Sequence, residues 1–302
     1  MLRPAHPADY PAIAHVHNTL WPEHFRSLED FAHLDRHNPV RRFLLELDGP
    51  VAVAGLRDRG AFYEFELGVL PGFEGRGLGR ELYARLLGEL EALPPKRTLA
   101  FVKESHPYAL AFAARRGWRE SLRGYHQHLG LAAFDPAPFE GLRRRLEAEG
   151  YAFHSYAALP DPERLYPLLR QTYLDVPRSG EAEPLSPEEF RRRFVLHPAF
   201  HPQTSFVAVR EGEWAGLSLV RRRGESGLHS AMTGVLPAHR GRGLATALKV
   251  CSILEARRLG FAELHTNNAA GNAPMLAVNA RLGFVRGPAR VELELTKESL
   301  WT

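Results

Sequence analysis

Hydrophobic and polar positions follow the same order twice along the chain. Each half begins with an amphipathic segment, continues with alternating runs typical of a β-hairpin and a further strand, and ends with a long helix, a strand and a second helix. The predicted ranges are, in the first half, 10–20, 42–47, 51–56, 77–92 and 98–102, and in the second half, 163–173, 205–210, 214–220, 243–259 and 263–266. Helices and strands mixed in this way indicate an α/β or α+β fold.

An internal repeat explains why the two halves are alike. Residues 68–79 read GVLPGFEGRGLG and residues 234–245 read GVLPAHRGRGLA, so eight of twelve positions are identical. The same offset of 166 residues aligns 114–118 with 280–284 without a gap. Because this period is far longer than a solenoid repeat, the sequence predicts two copies of one domain.

The boundary between the copies is predicted where prolines break the chain at 135–138. Residues 139–150 after them have the apolar spacing of a short amphipathic helix. We therefore expect an N-terminal domain at 1–138, a linker helix at 139–150 and a C-terminal domain at 151–302.

Composition narrows the class of protein. The 302 residues include 39 basic and 35 acidic side chains, a net charge of +4, and no nucleic-acid-binding motif accompanies this mild excess. No apolar run is long enough to span a bilayer, and the first residues lack the apolar core of a signal peptide. Cys251 is the one cysteine, which excludes an internal disulfide and a cysteine-based metal cage. We expect a cytoplasmic protein with no metal, no membrane contact and no nucleic-acid partner.

The most informative motif is the glycine turn at 240–245, which joins a predicted strand to a predicted helix. Gly241 and Gly243 allow a tight turn, and the helix start offers free N–H groups and partial positive charge. This combination suits a pyrophosphate. A P-loop is excluded because the turn lacks the Gly-Lys-Ser/Thr ending, and a dinucleotide fold is disfavoured because the third glycine is missing.

These residues resemble the GNAT superfamily of acetyl-CoA-dependent N-acetyltransferases. The resemblance rests on the pattern Val-x-Pro-x-x-Arg-Gly-x-Gly-x-Ala at 235–245, the later Asn-x-x-Met at 272–275 and Leu-Gly-Phe at 282–284. It implies two tandem GNAT-like domains, each a mixed, mostly antiparallel sheet flanked by helices. The two-copy layout is similar to that of mycothiol synthase and related tandem acetyltransferases, in which the C-terminal copy performs the chemistry.

The resemblance also implies a set of site residues in the second copy. The strand before the turn would bind the pantetheine arm of acetyl-CoA at a bulge, and the turn would bind the pyrophosphate. The implied cofactor-binding residues are Thr233, Val235, Leu236, Arg240, Gly241, Arg242, Gly243, Leu244, Ala245 and Asn272.

The catalytic residues are less clear from the sequence. Where the family often has a tyrosine that protonates the departing thiolate, this chain has Asn279, an amide that can donate a hydrogen bond but not a proton. His229 lies on the strand that often carries the base, and an ordinary structural histidine is the alternative. Glu225 and the carboxylate of Thr302 are further candidate bases.

The first copy departs further from the pattern. Glu74 replaces the leading arginine of the turn and would repel a pyrophosphate. The turn keeps its glycines, so a vestigial cofactor site is predicted at Val69, Gly75, Arg76, Gly77, Leu78 and Gly79.

The leading functional hypothesis is an N-acetyltransferase that moves an acetyl group from acetyl-CoA to a primary amine of a small molecule or peptide, with the chemistry in the C-terminal domain. The alternative, suggested by the missing tyrosine and the altered first copy, is a non-catalytic acyl-CoA-binding or scaffold protein. We expect a monomer or a homodimer.

Overall fold

The computed structural model describes residues 1–22, 25–38, 40–180 and 184–295. The chain divides into two compact units. The first contains Met1–Arg123 and the chain from Pro288 onward, and the second contains Gly124–Gly287. None of the helices in the described ranges is long and apolar enough to cross a membrane.

The first unit has a mixed sheet in the order β1-β2-β3-β4-β5-β12. All its neighbouring strands are antiparallel except β4 and β5, which run parallel. The strands are β1 Leu2–Pro4, β2 Val40–Glu46, β3 Pro50–Asp58, β4 Phe62–Val69, β5 Arg97–Lys103 and, from Pro288 on, β12 Val285–Leu295. The helices are α1 Tyr10–Leu20, α2 Leu28–His37, α3 Leu78–Glu91 and α4 Pro107–Ala114.

The second unit repeats this plan in the order β6-β11-β10-β9-β8-β7. Here β10 and β11 are the parallel pair. The strands are β6 Trp118–Gly130, from Gly124 on, β7 Tyr151–Ser155, β8 Phe206–Arg210, β9 Glu213–Arg223, β10 Gly227–Val235 and β11 Glu263–Ala269. The helices are α5 Ala137–Ala148, α6 Pro162–Leu174, α7 Pro187–Phe190, α8 Leu244–Arg258 and α9 Ala273–Arg281.

The compact units differ from the predicted ranges 1–138 and 151–302, because the last strand of each sequence copy pairs in the sheet of the other copy. The C-terminal strand β12 pairs with β5, from Arg290 opposite Lys103 to Leu295 opposite Thr98. Likewise, β6 is the last strand of the first sequence copy, and its later part pairs with β11 of the second copy, from Gly124 opposite Ala269 to Gly130 opposite Glu263. The predicted linker helix at 139–150 corresponds to α5, which begins two residues earlier, at Ala137, and whose Leu146 is fully buried in a cluster of the second unit.

A β-bulge distinguishes the central strands of the two units. The register of β10 against β9 shifts between Ser230 and Met232. The corresponding pair β3 and β4 keeps one continuous register from Ala52 opposite Val69 to Asp58 opposite Tyr63. A bulge adds one residue on one strand, bends it and commonly lies beside a functional site.

Candidate active site

The glycine turn stands at the N-terminus of α8. Gly241 and Gly243 have φ values of +76° and +90°, a left-handed conformation that glycine adopts without strain. The first N–H groups of a helix have no acceptor inside the helix, so this turn presents donors and the positive end of the helix dipole. A Cβ at Gly241 would meet no atom within 4 Å, whereas one at Gly243 would lie 2.8 Å from Leu142 of α5. The turn is therefore open above Gly241 and closely packed behind Gly243.

Both arginines of the turn are held by carboxylates of the same unit. Arg240 donates from Nε to the carbonyl of Val235 at 3.0 Å and from Nη2 to Asp175 at 2.5 Å. Arg242 pairs with Glu149 at 3.4 Å, while its carbonyl accepts a hydrogen bond from Arg145. Because these side chains are about half exposed, the pairs shape the turn while leaving positive charge at its surface.

A wedge between β10 and β11 opens beside the turn. The paired positions of these strands end at Ser230 opposite Thr266. Beyond that point β10 continues past its bulge through Thr233 and Val235, both paired with β9 on the other edge. Leu236 follows, and its N–H donates to Ala215. The edge of β10 that faces the wedge is thus suited to hydrogen bonding with an extended ligand.

His229 lies on β10, between Arg221 of β9 and His265 of β11. The pKa of His229 is lowered to about 3, mainly by burial. The nearby side chains of Arg221, His126, His265 and Arg223 lower this pKa further. A histidine with so low a pKa is neutral at physiological pH and takes a proton from an ammonium poorly. The position predicted for a base therefore holds a neutral imidazole.

Two other residues are candidate bases from the sequence, Glu225 and Thr302. Glu225 is exposed in the turn between β9 and β10, at the opposite end of β10 from the glycine turn. Thr302 lies outside the described residues.

The two asparagines of the predicted site, at the N-cap of α9 and within it, both make structural hydrogen bonds. Asn272 is the N-cap of α9 and accepts a hydrogen bond from the N–H of Met275. Asn279 is fully buried, and its amide donates to Gln127 at 2.8 Å and to Asn268 at 2.7 Å. Both amide hydrogens of Asn279 are thereby used, and its buried Oδ1 has no hydrogen-bond partner among the residues that the structure describes. This geometry leaves Asn279 no hydrogen for a sulfur atom.

A buried lysine beside the wedge escaped the sequence reasoning. Lys249 of α8 is 1% exposed, and its Nζ donates to Ser230 Oγ at 3.3 Å. Burial alone lowers the pKa of Lys249 to about 7. The available signal was a single lysine among the apolar residues of a predicted helix.

A histidine cluster on the same face of the sheet as His229 was also missed. Nδ1 of His265 lies 3.1 Å from His126 Nε2. Nε2 of His265 lies 2.9 Å from Glu263 Oε2 and 3.1 Å from Arg223 Nη1. The sequence could not indicate this group because His126 belongs to the first sequence copy and reaches β11 only through the exchanged strand. Nowhere in the described ranges do three His, Cys, Asp or Glu side chains converge as a metal-ion site would require.

The corresponding turn of the first unit keeps its backbone but not its charges. Gly75 and Gly77 have φ values of +75° and +86°, and Gly77 precedes α3 as Gly243 precedes α8. Glu74 is exposed, and the guanidinium carbon of Arg76 lies over the Phe73 ring, 5.1 Å from its centre. The other predicted residues of this site lie at the end of β4 and the start of α3: Val69, Leu78 and Gly79.

Comparison with known proteins agrees with this architecture. The profile of the family described as "Acetyltransferase (GNAT) family" matches residues 10–118 and 163–284, one match in each sequence copy. The mycothiol acetyltransferase of Thermobispora bispora is 28% identical over 229 residues, which cover 73% of this chain and 72% of that protein. The mycothiol acetyltransferase of Acidothermus cellulolyticus is 26% identical over 274 residues, which cover 85% and 72%.

Solved structures show the same fold. A tandem GNAT protein from the clavulanic acid biosynthesis pathway superposes with a TM-score of 0.74 at 22% identity, covering 97% of each chain. A GCN5-related N-acetyltransferase from Sphaerobacter thermophilus superposes with a TM-score of 0.72 at 19% identity, covering 97% of this chain and 94% of that one. The predicted fold, two tandem domains with mixed, mostly antiparallel sheets, is confirmed. The chain belongs to the acetyltransferase (GNAT) family and is an acyltransferase enzyme.

Proposed function

We propose that this enzyme transfers an acetyl group from acetyl-CoA to a primary amine of a small molecule or peptide, and that the second unit performs the reaction. The observation that carries the proposal is the β10 bulge, which in the second unit accompanies the wedge that opens at Ser230 and the glycine turn at Gly241. In the first unit the parallel strands also separate, after Glu64 opposite Leu99, but without a bulge. A second donor site in the first unit is not part of the proposal, because β4 has no bulge and Glu74 stands at the turn.

The residues of the second unit fit acetyl-CoA as a co-substrate. The N–H groups at the start of α8 suit the pyrophosphate, and the open space above Gly241 lets it approach the backbone. The unpaired edge of β10 from Thr233 to Val235 suits the amide groups of the pantetheine arm. Acetyl-CoA supplies the acetyl group as a thioester, whose carbonyl carbon the amine attacks.

The amine must be neutral to attack, and the charges near His229 favour that form. Burial is the main cause of the low pKa of His229, and the positive charges of Arg221 and Arg223 lower it further. Positive charge lowers the pKa of a neighbouring ammonium in the same way. The neutral imidazole of His229 can then accept a hydrogen bond and orient the nitrogen, without holding its proton.

Turnover with a panel of amines tests this function. Acetyl-CoA is incubated with the enzyme and, separately, an aminoglycoside, a polyamine, an amino sugar and a peptide N-terminus, and a thiol reagent reports free CoA. Cys251 is buried, and burial raises the pKa of its thiol to about 11, so the native protein contributes little to that signal. We expect binding of one acetyl-CoA per chain and CoA release above hydrolysis with at least one amine. Failure to bind acetyl-CoA would contradict the proposal.

A further inference from the structure

Lys249 occupies an unusual place for a lysine. Its side chain leaves α8 and ends in the interior, where Nζ contacts Ser230 Oγ at 3.3 Å and lies 5.0 Å from the centre of the Phe284 ring. Within the described residues no carboxylate forms an ion pair with it, and burial alone accounts for the lowered pKa of this ammonium. A buried ammonium without a carboxylate is costly, and an apolar side chain of similar length would pack there at lower cost.

The position of Ser230 locates the ammonium at the apex of the wedge. Ser230 is the last residue of β10 paired with β11, and the bulge follows directly. Because strand side chains alternate between faces, Ser230 and its partner Thr266 face α8, whereas His229 and His265 face the opposite side of the sheet. Lys249 therefore reaches the point where the two strands separate.

Lys249 is also the group on this face that can exchange a proton near neutral pH. The groups around it are Ser230 from β10, Thr266 from β11 and Phe284 after α9, and Asn279 of α9 lies on the same face of the sheet, bonded to Asn268 of β11. None of these four side chains ionises near neutral pH. The amide hydrogens of Asn279, the residue at the position where the family often has a tyrosine, are bound to Gln127 and Asn268.

We propose that Lys249 is the proton donor to the sulfur of the departing CoA, an inference that rests on the proposed function. The amine nitrogen forms a bond to the carbonyl carbon, the carbon–sulfur bond breaks, and its electron pair goes to sulfur. The Lys249 ammonium gives one proton to that sulfur and becomes a neutral amine. The nitrogen of the new amide loses one proton to solvent, and Lys249 takes one back from solvent, so that protons balance over the cycle.

The ionisation of Lys249 suits this role. A general acid works best when its pKa is close to the operating pH, and the pKa of Lys249 is lowered to about 7. At the equivalent position the first unit has Tyr83, whose hydroxyl accepts a hydrogen bond from Trp118 Nε1 at 3.2 Å. Burial raises the pKa of Tyr83, so at this position the first unit has a hydroxyl that keeps its proton near neutral pH.

The test compares Lys249→Met with Ser252→Ala. Methionine is an unbranched side chain one atom shorter than lysine and has no ionisable amine. Ser252→Ala, three residues later on α8, removes only a buried hydrogen bond to Ser218. For Lys249→Met we expect kcat to fall by about 100-fold, which is at the lower end of the rate enhancement that a general acid supplies. The KM for acetyl-CoA should be nearly unchanged. The wild-type kcat should also decline as pH rises through about 7, and this decline should be absent in Lys249→Met.

Binding of CoA and of desulfo-CoA gives a readout that needs no turnover. The wild-type protein should bind CoA about tenfold more tightly than desulfo-CoA, because the ammonium interacts with the sulfur. Lys249→Met should bind the two equally, and Ser252→Ala should behave as the wild type does.

The outcomes separate the two proposals. Unchanged kcat and unchanged discrimination between CoA and desulfo-CoA in Lys249→Met would overturn the role of Lys249 and leave the acetyltransferase function in place. Loss of activity in a Lys249→Met protein that still discriminates the two ligands, with an unaltered pH profile, would equally overturn it. A wild-type protein that binds neither ligand would overturn both proposals.

Discussion

The two units have the same backbone at the glycine turn but differ at the apex, the point where the two parallel strands of each sheet separate. In the second unit the apex has a bulge, the hydroxyl of Ser230 and the ammonium of Lys249. In the first unit the equivalent positions hold Glu64 and Tyr83, and the strand continues without a bulge. A glycine turn is thus a weak guide to function, since the difference between the units lies in strand register and in buried side chains.

Ion pairs occupy the apex of the first unit. His17 lies 2.7 Å from Glu66, which also faces Arg26 at 3.7 Å, and Arg59 pairs with Glu64. Burial opposes ionisation of Glu66, but Arg26 and His17 outweigh it and hold the pKa of this carboxyl below its usual range. These charged side chains satisfy one another while lining a cavity beside β4 and β5, so the first unit has opposed charges where the second has a hydroxyl and one ammonium.

The largest expected effect that separates the units is on pH-dependent stability. Lys249 binds a proton up to about pH 10.5 when unfolded but only up to about pH 7 when folded, so the wild-type protein should gain stability as pH rises between these values. Lys249→Met should therefore be more stable by on the order of 3–5 kcal/mol near neutral pH, and the difference should shrink toward alkaline pH. Urea unfolding across this range measures it.

The matched change in the first unit is Tyr83→Phe. It removes the hydrogen bond with Trp118 and should cost about 1 kcal/mol at every pH below the range where tyrosine ionises. A Lys249→Met stability difference that stays constant with pH would contradict the assignment of a buried ammonium.

A smaller effect is expected where α1 packs against β4 in the first unit and α6 packs against β10 in the second. A Cβ at Gly234 would collide with Thr172 of α6, and one at Gly68 would collide with Leu20 of α1. Gly234→Ala and Gly68→Ala should each destabilise by about 1–3 kcal/mol through overpacking. Calorimetric titration should show weaker acetyl-CoA binding for Gly234→Ala only, and an equal loss for Gly68→Ala would show that the first unit takes part in binding.

The smallest effect is expected from restoring charge to the first turn. Glu74 is exposed, so Glu74→Arg should change stability by less than about 0.5 kcal/mol. It should not create a second acetyl-CoA site, because β4 still lacks a bulge. The reciprocal change, Arg240→Glu, should weaken binding several-fold by repelling the pyrophosphate. A titration stoichiometry of two for Glu74→Arg would show that charge alone separates the two units.

Local features were predictable from the sequence and long-range ones were not. The turn at Gly241 and Gly243 could be read directly because its left-handed conformation depends on neighbouring residues alone. The exchange of β6 and β12 could not, since β6 pairs with β11 across more than a hundred residues. The low pKa of His229 likewise depends on side chains from β9, β6 and β11.

The helix α8 shows a second limit of sequence reasoning. It is buried nearly all round, so amphipathic periodicity gives no face on which to place Lys249. Its burial and its contact with Ser230 became visible only in the packed structure.

The most direct measurement is the acetyl-CoA affinity of Gly241→Val against that of Gly75→Val. The two glycines have matching φ values of +76° and +75°, and at both positions a Cβ meets no atom within 4 Å, so the backbone strain introduced is the same. We predict that Gly241→Val weakens acetyl-CoA binding at least about tenfold by displacing the donors at the start of α8, and that Gly75→Val binds as the wild type does. Equal affinities in the two variants, or a loss confined to Gly75→Val, would contradict the assignment of the donor site to the second unit.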